Sequence, residues 1–298
     1  LGVQALTSGT NLGQGIRNLI WRRADRQAAT VALTALPPDA GADAAVITTT
    51  TTATVDEAAL AGTPVLTVDG LTVQFGTLKA LDDVSFQVPA ASIMGLIGPN
   101  GAGKSTFVDA ISGFLPKHTG RVLLGDRDLV GLSPTRRARL GLRRTFQQDR
   151  VPPSLTVGAY VRFVARRRLA ASDIDEVLEF FGCPPARARL SSVDVGTRRL
   201  VEVAANVVSR PRLLILDEPA AGLSHDEHLA LAARLRELPA RYGVALIIIE
   251  HDLDLVRSVC PTLTVLDFGR VLASGPQAEV LANPDVVKAY MGETELLK

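Results

Sequence analysis

The most informative stretch of this sequence is Gly98-Pro99-Asn100-Gly101-Ala102-Gly103-Lys104-Ser105, which matches the pattern G-x-x-x-x-G-K-[ST] in full. It follows an apolar strand-like run, Ile93–Ile97, and precedes a helix-compatible run, Ser105–Leu115. The glycines let the backbone curl so that its N–H groups face phosphate oxygens, and the N-terminus of the helix adds positive potential. We expect Lys104 to contact the β- and γ-phosphates and the Ser105 hydroxyl to ligate Mg²⁺. The loop residues predicted to bind ATP are Gly98, Asn100, Gly101, Ala102, Gly103, Lys104, Ser105 and Thr106.

Two further apolar strands end in residues suited to hydrolysis. Leu213–Leu216 continues directly into Asp217 and Glu218, and Val244–Ile249 is followed closely by His251. We expect Asp217 to hold Mg²⁺, directly or through water, and Glu218 to polarise the attacking water as general base. His251 stands at the carboxyl end of its strand, where α/β sheets bind ligands, and is expected to contact the γ-phosphate. Strands often end in acidic residues, so this catalytic interpretation depends on the preceding P-loop.

Composition excludes several classes of protein. The 298 residues carry a net charge of +1, which gives no global bias toward nucleic acid or a membrane surface. The only cysteines, Cys183 and Cys260, lack metal-ligand spacing and are expected to be reduced thiols. No apolar run approaches the ~20 residues of a transmembrane helix.

The chain changes character near Pro64. Residues 1–63 are rich in Ala, Thr and Asp without helical or strand periodicity, which predicts a tail and linker. Basic residues between Arg17 and Arg26 leave two alternatives, the cytoplasmic end of a fused permease or an unrelated extension. After residue 63, closely spaced strands precede fully apolar strands separated by helices, which predicts an α/β fold with an antiparallel β piece on a parallel core. The predicted strands are Val65–Val68, Val84–Val88, Ile93–Ile97, Arg121–Leu124, Leu213–Leu216, Val244–Ile249 and Leu263–Leu266.

Five motifs in one order carry a family resemblance. They are the P-loop, Thr145-Phe146-Gln147, a glycine-led helix at Gly196–Val208, Leu216-Asp217-Glu218-Pro219 and Glu250-His251-Asp252. Together they resemble an ABC-transporter nucleotide-binding domain over about residues 64–292. Finer segments resemble the ATP-binding subunits of branched-chain amino-acid importers. These segments are Arg144-Thr145-Phe146-Gln147, Glu218-Pro219-Ala220-Ala221-Gly222-Leu223, His251-Asp252-Leu253-Asp254-Leu255-Val256, Val265-Leu266-Asp267-Phe268-Gly269-Arg270, Ala282-Asn283-Pro284 and Ala289-Tyr290-Met291-Gly292.

The resemblance implies an ABC ATPase fold for residues 64–298, in which a P-loop NTPase core carries an antiparallel β subdomain and a helical subdomain at about 148–208. It implies an ATP hydrolase coupled to transport, with ATP and Mg²⁺ as cofactors. The implied partners are membrane permease subunits, a second ABC ATPase subunit and, indirectly, an extracytoplasmic solute-binding protein. The implied location is the cytoplasmic face of the plasma membrane, as a peripheral subunit or as the cytosolic part of a permease fusion.

The resemblance also assigns two residues that motif chemistry alone does not. Phe75 is placed like the aromatic residue that stacks on adenine, although a hairpin core residue would look the same. Gln147 is placed like the residue that contacts Mg²⁺ and links the nucleotide site to the permease, which makes it a further catalytic candidate.

The signature motif departs from the family pattern. Anchoring on Gly196 aligns Val193-Asp194-Val195-Gly196-Thr197 with the usual Leu-Ser-x-Gly-Gln, so Asp194 replaces the serine that faces the opposite subunit's γ-phosphate. As a helix N-cap, Asp194 would stabilise its helix by about 1 kcal/mol. A carboxylate about 4 Å from a phosphate oxygen would also be repelled by about 4 kcal/mol at an effective dielectric near 20. We therefore expect a weakened signature, which favours a heterodimer with a different ATPase subunit.

Two alternative functions stay open at this point. One is a non-transport ABC ATPase acting on nucleic acid or ribosomes, and the other is a weakly hydrolysing nucleotide sensor. The first lacks support because the chain has a single P-loop and no coiled-coil or zinc insertion. The basic residues, expected on solvated helical faces or near anionic lipid, have no interleaved aromatic residues, so no nucleic acid partner is predicted. They are Arg136, Arg137, Arg139, Arg143, Arg144 and Arg166–Arg168.

Overall fold

A computed structural model of the chain describes residues 64–146 and 151–295. Two predictions lie outside these residues. They are the tail or permease end at 1–63 and the metal and permease contact of Gln147.

The described chain forms two β-sheets. The antiparallel sheet has the order β2-β1-β4-β5 and comprises β1 (Pro64–Phe75), β2 (Leu78–Pro89), β4 (Thr119–Leu124) and β5 (Arg127–Asp128). The second sheet has the order β10-β9-β3-β8-β7-β6 and comprises β3 (Ile93–Ile97), β6 (Leu142–Arg144), β7 (Leu213–Asp217), β8 (Ala245–Ile249), β9 (Thr262–Asp267) and β10 (Arg270–Pro276). Its pairs are parallel except for β9 with β10. The predicted antiparallel piece on a parallel α/β core is confirmed.

Seven of the helices in the described part of the chain lie between strands in sequence, three of them between β6 and β7, and two follow β10. The helices are α1 (Lys104–Ser112), α2 (Pro134–Arg139), α3 (Val157–Ala165), α4 (Ala171–Phe180), α5 (Val195–Val207), α6 (His225–Tyr242), α7 (Leu253–Val259), α8 (Gln277–Ala282) and α9 (Pro284–Glu295), with a short 3₁₀ turn at Leu190–Ser192. Across this described part of the chain, we find no helix with the length and apolar character needed to span a membrane.

The central strands are buried on both faces, as parallel strands covered by helices usually are. Successive side chains point to opposite faces, so Ile248 enters the core on the helical side while Ile247 and Ile249 enter a second core between the two sheets. This alternation explains why the strands read as continuous apolar runs. The same inter-sheet core holds α1, whose Phe107 is fully buried.

Two details of the strand predictions are wrong. The predicted strand Val65–Val68 does not end at Asp69-Gly70, a pair common in turns, but continues to Phe75 as β1. Its register with β2 shifts between Val68 and Leu71, and Gly70 has a φ of 62°. A bulge needs the same permissive residues as a turn, so the sequence signal is shared. β5, β6 and β10 were not predicted because they are short, charged or half-exposed.

The basic cluster is divided between surface and interior. Five of its arginines are exposed, as expected: Arg136, Arg139 and Arg166–Arg168. Arg137, Arg143 and Arg144 are buried or half-buried, which corrects the expectation of solvated faces for these three. Arg137 is fully buried and donates to the carbonyls of Ala110 and Ile111, both at 2.8 Å, at the C-terminal end of α1. Arg143 donates to the carbonyl of Val164 at 2.7 Å near the end of α3. These guanidinium groups satisfy carbonyls that a helix end leaves without partners.

Candidate functional site

The P-loop is pressed against two neighbouring strands. Gly98 has a φ of 147°, and a Cβ there would lie 2.1 Å from the carbonyl oxygen of Leu266 at the end of β9. Gly103 has a φ of 105°, and a Cβ there would lie 2.7 Å from the carbonyl oxygen of Ala80 in β2. Both positions therefore require glycine for conformation and for space.

Lys104 and the end of α1 provide the positive charge of the loop. The Nζ of Lys104 donates to the carbonyls of Gly98 and, at 2.9 Å, of Pro99, which folds the side chain back over the loop. Gly103 is the N-cap of α1 and has no side chain to cover that end of the helix. A helix N-terminus of this kind favours an anion such as a phosphate.

The remaining loop positions differ in accessibility. Asn100, Gly101 and Ser105 are exposed, Thr106 is half-buried, and Ala102 is buried and accepts a hydrogen bond from the Gly269 amide at 3.0 Å.

Asp217 ends β7 and Glu218 follows it directly. In the sheet, β7 is separated from the P-loop strand β3 by β8 alone. Asp217 is buried, and its amide donates to Thr145 Oγ1 at 3.1 Å. Glu218 has a φ of 50°, unusual for a residue other than glycine, and its amide donates to the carbonyl of Ile249 at 2.9 Å. Such a backbone outlier persists only where its surroundings hold it, and it often marks a functional site.

His251 reaches the same edge of the sheet. Its Nδ1 lies 3.8 Å from Glu218 Oε1 and 3.8 Å from Glu250 Oε2, while its ring is 76% exposed. The structure therefore brings together two predicted catalytic residues, Glu218 and His251, at the carboxyl ends of adjacent strands.

Asp194 caps α5. Its Oδ1 accepts from the Thr197 amide at 2.8 Å and its Oδ2 accepts from the Thr197 hydroxyl at 2.6 Å, so the N-cap interpretation is confirmed. These hydrogen bonds lower the pKa of the exposed Asp194 carboxyl below its ordinary value, which keeps it ionised at neutral pH. Gly196 packs against the loop after Glu218, because a Cβ there would lie 2.9 Å from Cδ2 of Leu223.

Phe75 stands apart from the loop in sequence but near it in the fold. It is half-buried at the end of β1, packs against the inter-sheet core and pairs with Leu78 across the hairpin turn. The second strand of that hairpin contacts the P-loop through Ala80. A partly exposed ring at this place suits both stacking and core packing.

Known proteins resemble this chain over most of its length. A family model described as "ABC transporter" matches residues 81–221, and one described as "Branched-chain amino acid ATP-binding cassette transporter" matches residues 270–295. The high-affinity branched-chain amino acid transport ATP-binding protein LivG of Salmonella typhimurium is 35% identical over 251 residues, covering 77% of this chain and 98% of LivG. BraF of Pseudomonas aeruginosa, which has the same description, is 34% identical with the same coverage. This chain belongs to the ABC transporter ATP-binding family.

Solved ABC cassettes confirm the fold. The ADP conformation of an ATP-binding cassette of an ABC transporter matches with a TM-score of 0.69 and 29% identity, covering 77% of this chain and 99% of that one. A nucleotide-free cassette from an ABC transporter matches with a TM-score of 0.68 and 28% identity, covering 76% and 98%. The chain is thus a nucleotide-binding ATPase subunit that works with membrane permease partners. The resemblance to the ATP-binding subunits of branched-chain amino-acid importers, the predicted fold class and the predicted ATPase activity are confirmed.

The oxygen donors of this ABC ATPase fit Mg²⁺. The hydroxyl of Ser105 and the carboxylate of Asp217 are hard ligands of the kind Mg²⁺ prefers, and Mg²⁺ typically takes one or two protein ligands with substrate phosphates and water. Within residues 64–146 and 151–295, no three His, Cys, Asp or Glu side chains gather into a metal cage.

The sequence did not predict a buried polar network that connects helix α5 to Phe146 and to the backbone of Asp217 and Glu218. Arg199 of α5 donates to the carbonyl of Phe146 and, at 3.3 Å each, to the carbonyls of Asp217 and Glu218. Glu202 lies one turn later, 3.4 Å from Arg199, and accepts from the Phe146 amide at 3.2 Å. The signal in the sequence was a charged pair spaced by three, Arg199 and Glu202, among the apolar residues of this helix.

Glu250 is a second missed residue. It is 3% exposed, and its Oε1 accepts from the Ala220 amide at 3.2 Å, which ties β8 to the loop after Glu218. Burial is the main cause that raises the pKa of Glu250 above its ordinary value, and the nearby Glu218 carboxylate adds to the rise.

Proposed function

We propose that this chain is the ATP-hydrolysing subunit of an importer for branched-chain amino acids, acting at the cytoplasmic face of the plasma membrane. The observation that carries the proposal is the 34–35% identity to branched-chain amino acid transport ATP-binding proteins over 98% of their length. The matched C-terminal model at residues 270–295 supports the same class. These matches favour a transporter over the ABC ATPases of DNA repair and ribosomes.

The proposed chemistry assigns a role to each residue at the sheet edge. The P-loop from Gly98 to Thr106 would hold the phosphates, with Lys104 as the cation. Glu218 would accept a proton from water whose oxygen attacks the γ-phosphorus, while the bond from that phosphorus to ADP breaks. His251, 3.8 Å from Glu218, would hold the γ-phosphate in line. Mg²⁺, bound by Ser105 and Asp217 with help from Gln147, would neutralise phosphate charge.

One substitution tests the hydrolytic role. Glu218→Gln should retain ATP binding, measured with a fluorescent ATP analogue, and lose phosphate release by at least about a hundredfold. Glu237→Gln is the matched control, because Glu237 is an exposed glutamate on α6. Full turnover in the Glu218→Gln variant would contradict the assignment and favour the nucleotide-sensor alternative.

The solute requires the assembled transporter. Proteoliposomes carrying the copurified permease and this chain, with ATP on the side of the ATPase, should accumulate radiolabelled leucine, isoleucine or valine when the solute-binding protein is added. Uptake of an unrelated solute, with none of these three, would contradict the branched-chain assignment while leaving the ATPase intact.

We also propose that the second ATPase in the assembly is a different subunit. Asp194 is ionised and stands where a signature serine would face the partner's γ-phosphate, so two copies of this chain would each present a carboxylate to phosphate. Asp194→Ser retains an N-cap residue and removes the charge. Its expected effect is a higher ATPase rate of the assembled transporter, and an unchanged rate would contradict the proposal.

A further inference from the structure

Arg144 lies between two buried carboxylates that belong to different parts of the nucleotide site. Its Nη1 donates to Asp109 Oδ1 at 2.5 Å, and its Nη2 lies 3.8 Å from Asp217 Oδ2. All three side chains are 10% exposed. The guanidinium therefore makes a hydrogen-bonded ion pair with Asp109 and a looser pair with Asp217.

The position of Arg144 is held from several sides. It ends β6, which pairs with β7 through Arg144 and Ile215. Its guanidinium carbon lies 4.8 Å from the ring centre of Phe146 and 5.6 Å from that of Phe114, close enough for cation–π attraction. The two rings also contact each other edge to face, with centres 6.0 Å apart, so they form one aromatic wall that holds the guanidinium beside both carboxylates.

The two carboxylates compete for this cation. Asp109 stands on α1, five residues after Lys104, and Asp217 ends β7. A bidentate arginine occupies the lone pairs of a carboxylate, and the same lone pairs are what a divalent cation needs. At low exposure these charges are weakly screened. The distance between Arg144 and Asp217 therefore strongly affects how well the Asp217 carboxylate can attract a second cation.

We propose that Asp109 is a positioning residue that holds Arg144 away from the carboxylate of Asp217 and thereby keeps Asp217 available to the divalent cation. The inference rests on the proposed role of Asp217 as a metal ligand. Without the Asp109 charge, Arg144 closes the 3.8 Å gap to Asp217 and competes with the cation.

The test measures metal binding without turnover. Mn²⁺ replaces Mg²⁺, the nucleotide is a non-hydrolysable ATP analogue, and free Mn²⁺ is counted by electron paramagnetic resonance. Asp109→Asn, which keeps the shape of the side chain, should raise the Kd for Mn²⁺ by about fivefold to tenfold. Adding Arg144→Gln to it removes the competitor and should return the Kd to within about twofold of the unmodified chain.

Two further variants keep the result interpretable. Glu176→Gln removes the partner of another arginine, Arg241, at 2.8 Å on the surface, and should leave the Kd unchanged. Arg144→Gln alone should bind Mn²⁺ at least as tightly as the unmodified chain, and this arm stands even if Asp109→Asn fails to fold.

An unchanged Kd in Asp109→Asn, or a double variant as weak as Asp109→Asn, would overturn the inference and leave the proposed function standing. Weaker Mn²⁺ binding in Arg144→Gln alone would also overturn it. If the unmodified chain with nucleotide binds no Mn²⁺, the proposed metal role of Asp217 fails and the inference fails with it.

Discussion

Replacing Arg199 by methionine should cost the fold about 3–5 kcal/mol, because it removes one partner of a buried ion pair and leaves the other charged. Arg199 is 7% exposed, and its donors serve the carbonyls of Phe146, Asp217 and Glu218 as well as the carboxylate of Glu202. Methionine fills the space of the aliphatic stem but donates nothing, so these buried acceptors lose a donor. The double variant Arg199→Met/Glu202→Gln should recover about 1–3 kcal/mol, because glutamine removes the buried charge and still accepts from the Phe146 amide.

Urea unfolding followed by far-ultraviolet circular dichroism measures these differences. Arg236→Met is the matched control, since Arg236 is an exposed helix residue with one weak bond to the Ser258 carbonyl at 3.3 Å. It should change stability by less than about 0.5 kcal/mol. A loss below about 1 kcal/mol for Arg199→Met, or a double variant no better than the single one, would refute the reasoning.

Three shorter predictions concern the loop and two carboxylates. Gly98→Ala should weaken ATP binding by at least about tenfold, because its Cβ would meet the Leu266 carbonyl. Gly243 has a φ of 64° and open space around the position of a Cβ, so Gly243→Ala should cost about 1 kcal/mol of stability and leave ATP binding unchanged, as equilibrium binding will show. Asp194→Ala should lower stability by about 1 kcal/mol at neutral pH, and this difference should shrink as pH falls through the lowered pKa of Asp194, below its ordinary 3.8, in unfolding measurements across pH. The pKa of Glu250 in the folded chain is raised above its ordinary 4.5, so ionising this carboxyl destabilises the fold as pH rises from the unfolded-state pKa to the folded-state pKa. The free energy of unfolding of Glu250→Gln should therefore rise relative to that of the unmodified chain over this pH range and stay constant above it. A difference that does not change with pH would contradict the assignment.

The parallel strands were predictable because burial on both faces leaves an unbroken apolar run. Ile93–Ile97 was predicted with its exact bounds, and β7 and β8 differ from prediction by one residue each. The P-loop was predictable for a different reason, because every residue that its sequence pattern requires lies within the consecutive stretch from Gly98 to Ser105.

The missed parts depend on partners far apart in the chain. Two arginines in β6 look like surface charge in sequence, yet Arg143 binds a carbonyl 21 residues later and Arg144 a carboxylate 35 residues earlier. No local pattern distinguishes such a guanidinium from a solvated one. The Arg199 network spans 53 residues to Phe146, and it too becomes visible only once the fold brings α5 under the sheet edge.

The burial of α1 has a consequence for how small this ATPase can become. Phe107, Val108 and Ile111 are fully buried in a core shared by both sheets, so the helix that carries the P-loop is covered from Phe107 to its end and reaches solvent only in its first turn. Removing the antiparallel sheet would expose that helix along its length, and the phosphate loop would lose its support together with Ala80. A minimal hydrolase cut from this chain must therefore begin no later than β1, even though every residue proposed to act on the γ-phosphate comes after it.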